Sequence, residues 1–529
     1  MEVDPVLKME QERILKQRSK DDVFAECSSD IKGFFTDKTI FITGGTGFLG
    51  KHLVEKLLRS CPKLKRIYLL FRPKKGKNSE QRFKELFENK VFIEVKRRYP
   101  NIISKVHFME GDVAQLNLGM SENDRQIFTK EVQIIFHGAA TIRFDDILRR
   151  AMMINVRGTR ELFRLASSCE SLESMVHVST AFCHYPLRNV KEQFYPMILN
   201  YESLIELAEK LDDEKMNAIA PTLLAEWGVN TYTYTKAMCE DIVKEYSDRV
   251  PVSIFRPAMV LPAYTEPMPG WVEPTCIYSA TGILLGAGLG VIKVILADDD
   301  VSVDIIPVDF VTNTSIAVAW KTAEDRKNQT KVDEPKIYTL NSAKTNTINW
   351  AKVRKILESD CIWMASPKIL WHGWSLYISN QTLFLVLAFL FHTIPATIID
   401  GICWCFGKKI NARQLDSTLT RLLLIIKPFT HYNYDFDDTN SKELFTQLSE
   451  TDKQIFPFNV KDINWSDYIQ VACLGLRRYV VRDNLQGTEI GVRKIFWLRI
   501  AHYILTTVLI LIVYTIFKNI GSVLSLIFS

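Results

Sequence analysis

Through the first half of the chain, short apolar runs alternate with amphipathic stretches. The runs fall at Thr39–Thr43, Arg66–Phe71, Val106–Glu110, 132–137, 175–179 and 252–255, with a last one at 336–340. They are brief, apolar and often β-branched, which predicts strands covered on both faces. Between the first two, Leu49, Leu53, Val54, Leu57 and Leu58 share one face of a helix. Repeated strand–helix units of this length imply an α/β fold with a parallel, doubly wound sheet. From about Asp325 the rhythm fades. The polar stretch "AEDRKNQTKVDEP" reads as a linker or surface loop. The region after it is mostly helical, as in "ARQLDSTLTRLLLIIKPF" and "DYIQVACLGLRRYVVRD". The expected organisation is a polar N-terminal segment at 1–35, a sheet domain at 36–330 and a helical domain at 335–492.

Two later runs are far more apolar. "IAHYILTTVLILIVYTIF", at 500–517, contains no Lys, Arg, Asp or Glu. Eighteen helical residues span roughly 27 Å, close to a hydrocarbon core, so a transmembrane helix is expected. Arg493, Lys494 and Arg499 precede it and only Lys518 follows, which turns its N-terminal side to the cytosol. The run at 382–399 is interrupted by His392 and Pro395. A membrane-contacting or re-entrant helix, or one lying under an acyl chain, is favoured there over a full span. The N-terminus lacks the apolar core of a secretory signal.

With 529 residues the chain has room for about two to four domains. It is 47% hydrophobic and 24% charged, which supports a sizeable core and excludes compositional disorder. A net charge of +5 is small for this length and gives no case for binding nucleic acid. The ten cysteines form no paired CxxC pattern, Cys403 and Cys405 being the closest two. No metal is expected, and scattered thiols fit a reducing compartment.

The first chemistry lies in "TIFITGGTGFLGKHL", where Gly44, Gly47 and Gly50 stand three apart between a strand and a helix. Gly44 suits a tight turn, Gly47 lets backbone N–H groups approach a pyrophosphate, and Gly50 allows close packing of the helix. The helix dipole favours the anion. The fold expected is therefore Rossmann-like, with Gly44, Thr46, Gly47, Phe48, Leu49 and Gly50 as cofactor contacts. The second strand ends in "YLLFRPKKGK": Arg72, then Lys74 and Lys75, with no acidic residue. An acid there would favour a ribose 2′-hydroxyl, whereas Arg favours a 2′-phosphate, so NADP(H) is expected. Asp112, followed by Val113 in "EGDV", suits the adenine amine. Ala139 in "HGAAT" is small enough to let a cofactor pass.

"NTYTYTKAMCED" adds a reaction. Tyr232 and Lys236 are four apart, hence on one helix face. An ammonium beside a phenol favours the phenolate and brings the pair into range for proton transfer to a developing alkoxide. Lys236 can also hydrogen-bond the nicotinamide ribose. A strand end, "HVSTAF", lies between the glycine turn and this helix and offers two hydroxyls, Ser179 and Thr180.

At these residues the sequence resembles the extended short-chain dehydrogenase/reductases. In that family a Ser or Thr after the fifth strand polarises a carbonyl, the Tyr donates a proton and the Lys tunes it. Tyr232 and Lys236 match, and either Ser179 or Thr180 supplies the hydroxyl, with Thr180 preferred. Over nearly the whole chain the sequence is similar to eukaryotic fatty acyl-CoA reductases. "TGGTGFLGKHLVEKLLR", "IYLLFRPKKGK", "NVRGTRELF", "FRPAMV", "PMPGW" and "DIIPVD" recur there in this order, as do "FHTIPATIID" and "GLRRYVVRD". The resemblance implies reduction of a fatty acyl-CoA to a primary alcohol with two NADPH. Hydride would attack the thioester carbonyl, Tyr232 and Thr180 would stabilise the oxyanion, and CoA would leave an aldehyde for a second reduction. It also implies a membrane enzyme with a cytosol-facing catalytic domain, on the endoplasmic reticulum or peroxisome. Two other readings share parts of the pattern. A membrane-bound sterol-type dehydrogenase would more often have an acid where Arg72 stands and would lack this C-terminal region. A non-catalytic NADP-sensing regulator could dispense with Tyr232 and Lys236.

Overall fold

Strand β1, Thr39–Thr43, is buried along its whole length, because helices cover both faces of the sheet it centres. The computed structural model describes residues 3–72, 78–275, 280–328, 334–408 and 411–527. Around β1 stand β2 (Arg66–Phe71), β3 (Val106–Glu110), β4 (Ile134–His137) and β5 (Ser174–Val178), followed by the strands Val252–Pro257 and Ile337–Leu340. They form a seven-stranded sheet in the order Ile337–Leu340, Val252–Pro257, β5, β4, β1, β2, β3. Each neighbouring pair is parallel. The order reverses between β1 and β4, and the crevice outside their C-terminal ends is where such sheets bind ligands. The register pairs Thr43 with His137, so the two ends lie side by side.

The edge strand Ile337–Leu340 follows the polar loop that the sequence reading uses as a boundary, yet it completes the same sheet. The helix Thr439–Gln447, from the helical region, closes over this edge, with the Asn440 side-chain amide donating to the Ile337 carbonyl at 2.8 Å. Short parallel pairs join the two regions further. Asn189–Val190 pairs with Asp435–Phe436, and Val294–Leu296 with Leu376–Ile378. Sheet domain and helical region are interwoven.

Helix α1 (Pro5–Val23) and helix α2 (Asp30–Phe35) fill the expected polar N-terminal segment. Arg18 of α1 pairs with Glu94 at 2.6 Å, Arg13 pairs with Asp467, and Ser29 bonds Asp452. Helix α3 (Phe48–Ser60) buries Leu53, Val54, Leu57 and Leu58 as its pattern predicts, but its polar side is buried too. Lys56 donates to both oxygens of Glu266 and, at 2.6 Å, to the Ile455 carbonyl. Arg59 donates to Glu266 at 3.0 Å and to Asp21 at 2.9 Å. A face that a helical projection reads as solvated is thus covered by α1, by the loop around Glu266 and by the helical region.

That loop holds "PMPGW". Gly270 has φ of +69°, and a Cβ on Gly475 would lie 1.7 Å from its carbonyl oxygen. Two glycines therefore let backbone from the two regions touch. Farther on, a helical rod runs from Gln381 to Cys405 and is long and apolar enough to cross a membrane. The helix Thr488–Ile527 covers residues 500–517; its side chains at 509, 510, 512, 513 and from 516 on lie outside the described residues.

Candidate active site

The turn after β1 is shaped by backbone contact. Gly44 has φ of +77°, and a Cβ there would lie 2.8 Å from the Ala139 nitrogen. A Cβ on Gly50 would lie 2.2 Å from the Gly44 oxygen, so α3 seats directly on the turn. Gly47 donates its N–H to the Gly44 carbonyl at 3.0 Å and caps α3 without a side chain. The first N–H groups of α3 are left to a ligand, at the positive end of its dipole. Thr46, Phe48 and Leu49 are half-buried along this opening. Trp271 packs on Phe48 with ring centres 5.3 Å apart, bracing the start of the helix.

Arg72 follows β2 and is exposed. Its carbonyl accepts from Arg82, whose guanidinium lies 5.0 Å from the Phe71 ring. Arg82 is a second cation at this strand end, beyond the reach of motif spacing. Lys74 and Lys75 lie outside the described residues. Asp112 is half-buried, and its Oδ1 accepts the Ala114 N–H at 3.0 Å, so its second oxygen is the one left to a ligand. Val113 packs against Gly158, at the start of the helix Gly158–Ala166. Ala139 donates its N–H to the Thr43 hydroxyl at 3.2 Å.

Tyr232 and Lys236 lie one turn apart on the helix Thr231–Tyr246, which the Asn230 side chain caps. Thr180, just past the end of β5, turns its hydroxyl to the Tyr232 phenol, and the same hydroxyl donates to the Pro257 carbonyl at 3.5 Å and accepts the Phe182 N–H at 3.3 Å. Ser179 points elsewhere: its hydroxyl donates to Glu240 at 2.7 Å in a buried network. Glu240 also accepts from Arg256 at 2.9 Å and from Cys183 at 3.3 Å, and lies 3.4 Å from His184. The two hydroxyls left open by the sequence are therefore separated, Thr180 to the phenol and Ser179 to the interior. Burial alone would raise the Glu240 carboxyl, but Arg256 and His184 hold it well below the usual carboxylate range.

In this structure the Lys236 ammonium donates to the Val178 carbonyl at 2.6 Å. Burial raises the Tyr232 phenol above its ordinary value, with the Thr180 hydroxyl working in the opposite direction, and burial lowers the Lys236 ammonium.

The sequence reading missed two groups. Asn155, in "NVRGTRELF", accepts the Thr141 N–H at 2.9 Å and donates to the Thr235 hydroxyl at 2.9 Å. It ties the loop after β4 to the Tyr232 helix; its only signal was a polar residue in an otherwise buried turn. The second group is aromatic. Phe144 lies 6.0 Å from Tyr232, and Phe429 of the helical region lies 5.6 Å from Phe144 and 5.0 Å from Phe182. The helical region thus walls the site.

A family model described as "Male sterility protein" covers an NAD-binding domain and matches residues 42–315. A second with the same description, the Sterile domain, matches 391–483. The chain is 35% identical over 476 residues to fatty acyl-CoA reductase wat of Drosophila melanogaster, covering 90% of each chain. It is also 35% identical over 484 residues to fatty acyl-CoA reductase 2 of Homo sapiens, covering 92% of each. Among solved structures, it is similar in fold to the terminal R domain of the myxalamid biosynthetic pathway (TM-score 0.54, 18% identity, 88% of this chain and 98% of that one). The reductase domain of a Mycobacterium tuberculosis nonribosomal peptide synthetase gives a TM-score of 0.55 at 17% identity, over 87% and 97% of the two chains. With nine-tenths of its length matched at this identity, the chain belongs to the fatty acyl-CoA reductase family of oxidoreductases.

Proposed function

We propose that this protein reduces long-chain fatty acyl-CoA to a primary fatty alcohol and CoA, through an aldehyde and with NADPH as reductant. The observation that carries the reading is the approach of the Thr180 hydroxyl, just past β5, to the phenol of Tyr232, on the helix that also carries Lys236. The turn fits a pyrophosphate, since side chains at Gly44 and Gly50 would collide with backbone. Arg72 is the group suited to a 2′-phosphate. Asp112 and Val113 suit the adenine end. When bound, NADPH supplies the hydride.

The chain's own residues handle the oxygen and its proton. Thr180 and Tyr232 both donate to the carbonyl oxygen, where negative charge develops. A phenol raised by burial keeps its proton until that charge appears, then releases it to the oxygen. Lys236 is one turn away, able to move from the Val178 carbonyl to the ribose or the phenolate. These hydroxyls serve an aldehyde as they serve a thioester, so one site suffices for both reductions. Phe144, Phe182 and Phe429 exclude water beside Tyr232.

A membrane completes the reading, with the catalytic domain facing the cytosol. The Gln381–Cys405 rod exposes Leu383, Phe389, Ile398, Ile402 and Trp404. Its middle is fastened to the protein: His392 accepts the N–H groups of Lys293 and Val294 at 2.9 and 3.1 Å, and Thr393 donates to Asp416 at 2.6 Å. A helix held at mid-length lies along the membrane surface rather than crossing it.

The test is NADPH oxidation by membranes carrying the protein, with palmitoyl-CoA as substrate and products identified by mass spectrometry. Hexadecanol and CoA are expected from wild type and not from Tyr232→Phe. Product halted at hexadecanal would overturn the two-step reaction, and silence from wild type across chain lengths would overturn the whole reading.

A further inference from the structure

Away from Tyr232, a partly open cavity of about 100 Å³ lies between the helix Ala280–Gly288, the helix Trp350–Ser359 and the start of Thr488–Ile527. Leu284, Leu285, Leu357, Ile369, Leu476 and Ile495 are part of its apolar lining. The cavity also holds polar groups in its lining. His372 Nδ1, Trp374 Nε1 and Arg499 Nε all line it, and all are buried without a hydrogen-bond partner among the described residues. The other cations in the lining have acids: Arg354 pairs with Asp299 at 2.8 Å and faces Glu358, and Arg477 pairs with Asp483 at 2.8 Å. Arg499 has no carboxylate partner among the described residues.

These polar groups also lie where two long apolar helices meet. Trp374 packs on Phe391 of the Gln381–Cys405 rod at 5.5 Å and on His502 of the Thr488–Ile527 helix at 5.1 Å. Lys293 lies 5.3 Å over the Trp374 ring and donates to the His372 carbonyl at 2.6 Å.

We propose that this cavity binds the anionic head and first methylenes of a single-chain lipid, a long-chain fatty carboxylate, at a site separate from Tyr232. A carboxylate only accepts hydrogen bonds, and its two oxygens can take the indole, the imidazole and the guanidinium fork together. An alcohol or thioester head would leave the Arg499 charge unanswered. The volume is below the roughly 300–1,000 Å³ of sites that enclose a whole ligand, so the rest of the chain lies outside, between the two apolar helices. Nothing in this assignment depends on the reaction proposed for Tyr232.

The test uses full-length protein in lipid nanodiscs, photolabelled with a diazirine analogue of palmitate. Palmitate should displace the label at least about tenfold better than hexadecanol. Gly288 lines the cavity and is exposed, and a Cβ there would meet nothing within 4 Å, so Gly288→Leu adds bulk to the lining without strain. It and Arg499→Gln should each weaken labelling by about tenfold or more, while Tyr232→Phe labels like wild type. Equal displacement by hexadecanol, or full labelling of Gly288→Leu, would overturn the site. Stronger displacement by lysophosphatidate than by palmitate would overturn the carboxylate in favour of a phosphate head. Loss of labelling in Tyr232→Phe, with palmitoyl-CoA the best competitor, would make the cavity part of the substrate path and overturn its independence.

Discussion

Lys56 holds its ammonium 2.9 and 2.8 Å from the two carboxylate oxygens of Glu266, with both side chains almost wholly removed from water. Arg59 and the Asn313 amide complete the shell around that carboxylate. Burial alone would raise the Glu266 carboxyl, but Lys56 and then Arg59 hold it well below its ordinary value. Glu266→Gln leaves Lys56 and Arg59 facing a neutral group and should destabilise the fold by about 3–5 kcal/mol at neutral pH. A carboxyl depressed in the folded state contributes stability that is present above its unfolded value, about pH 4, and is lost as pH falls below it. The wild-type advantage over Glu266→Gln should therefore narrow in acid. Urea titrations from about pH 7 down to pH 3 measure both effects, and equal stability at neutral pH would remove the hub assigned to Glu266.

Thr180 and Ser179 are neighbours with different duties. Tyr232→Phe should lower kcat by roughly 10²–10⁴-fold with nucleotide binding intact. Thr180→Val should cost about 10²-fold, the usual effect of removing one donor to a developing oxyanion. Ser179→Ala should leave kcat near wild type and lower stability by roughly 1–3 kcal/mol, because buried Glu240 loses a donor. Single-turnover kinetics and thermal melts separate these outcomes. A Ser179→Ala enzyme as slow as Thr180→Val, yet fully stable, would reverse the assignment.

The sheet was legible because its inner strands are largely apolar along their length; β1, β2 and the edge strand β3 match their sequence ranges residue for residue, although His107 and Glu110 of β3 are exposed. The glycine turn was legible for a related reason, since only glycine fits where backbone meets backbone. Partnerships across the chain were not. Lys56 and Arg59 look solvated on a helical projection, and nothing local announces that Glu266 and Ile455 will cover them. Phe429 beside Phe144 was invisible for the same reason. Motifs quoted for resemblance alone acquire physical roles in the fold. Asp309 of "DIIPVD" accepts the N–H groups of Tyr264 and Thr265 and so fixes the loop that carries Trp271.

Arg72 tests the choice of nucleotide. If it holds a 2′-phosphate, Arg72→Ala removes a charge-assisted hydrogen bond of about 1.5–3 kcal/mol from NADPH and nothing from NADH. The ratio of kcat/KM for NADPH over NADH should fall by roughly ten- to a hundredfold. Steady-state kinetics with both nucleotides measure it directly. An unchanged ratio would move recognition of the phosphate to other groups, Arg82 first among them.

Gly475 tests whether the helical region supports the cofactor turn. A methyl there would lie 1.7 Å from the Gly270 oxygen, so Gly475→Ala must push apart the helix Trp465–Gly475 and the "PMPGW" loop. The loop has little room to yield, because Trp271 is buried and packed 5.3 Å from Phe48 at the start of α3. The expected loss of stability is more than about 3 kcal/mol, and NADPH affinity should fall with it as Phe48 loses its brace. Gly401→Ala is the matched control: its Cβ would meet nothing within 4 Å inside a helix, where alanine stabilises by up to about 1 kcal/mol. Chemical denaturation and nucleotide titration of the two variants should diverge. If Gly475→Ala bound NADPH as tightly as Gly401→Ala, the contact between the two regions would hold the fold together without supporting the cofactor turn.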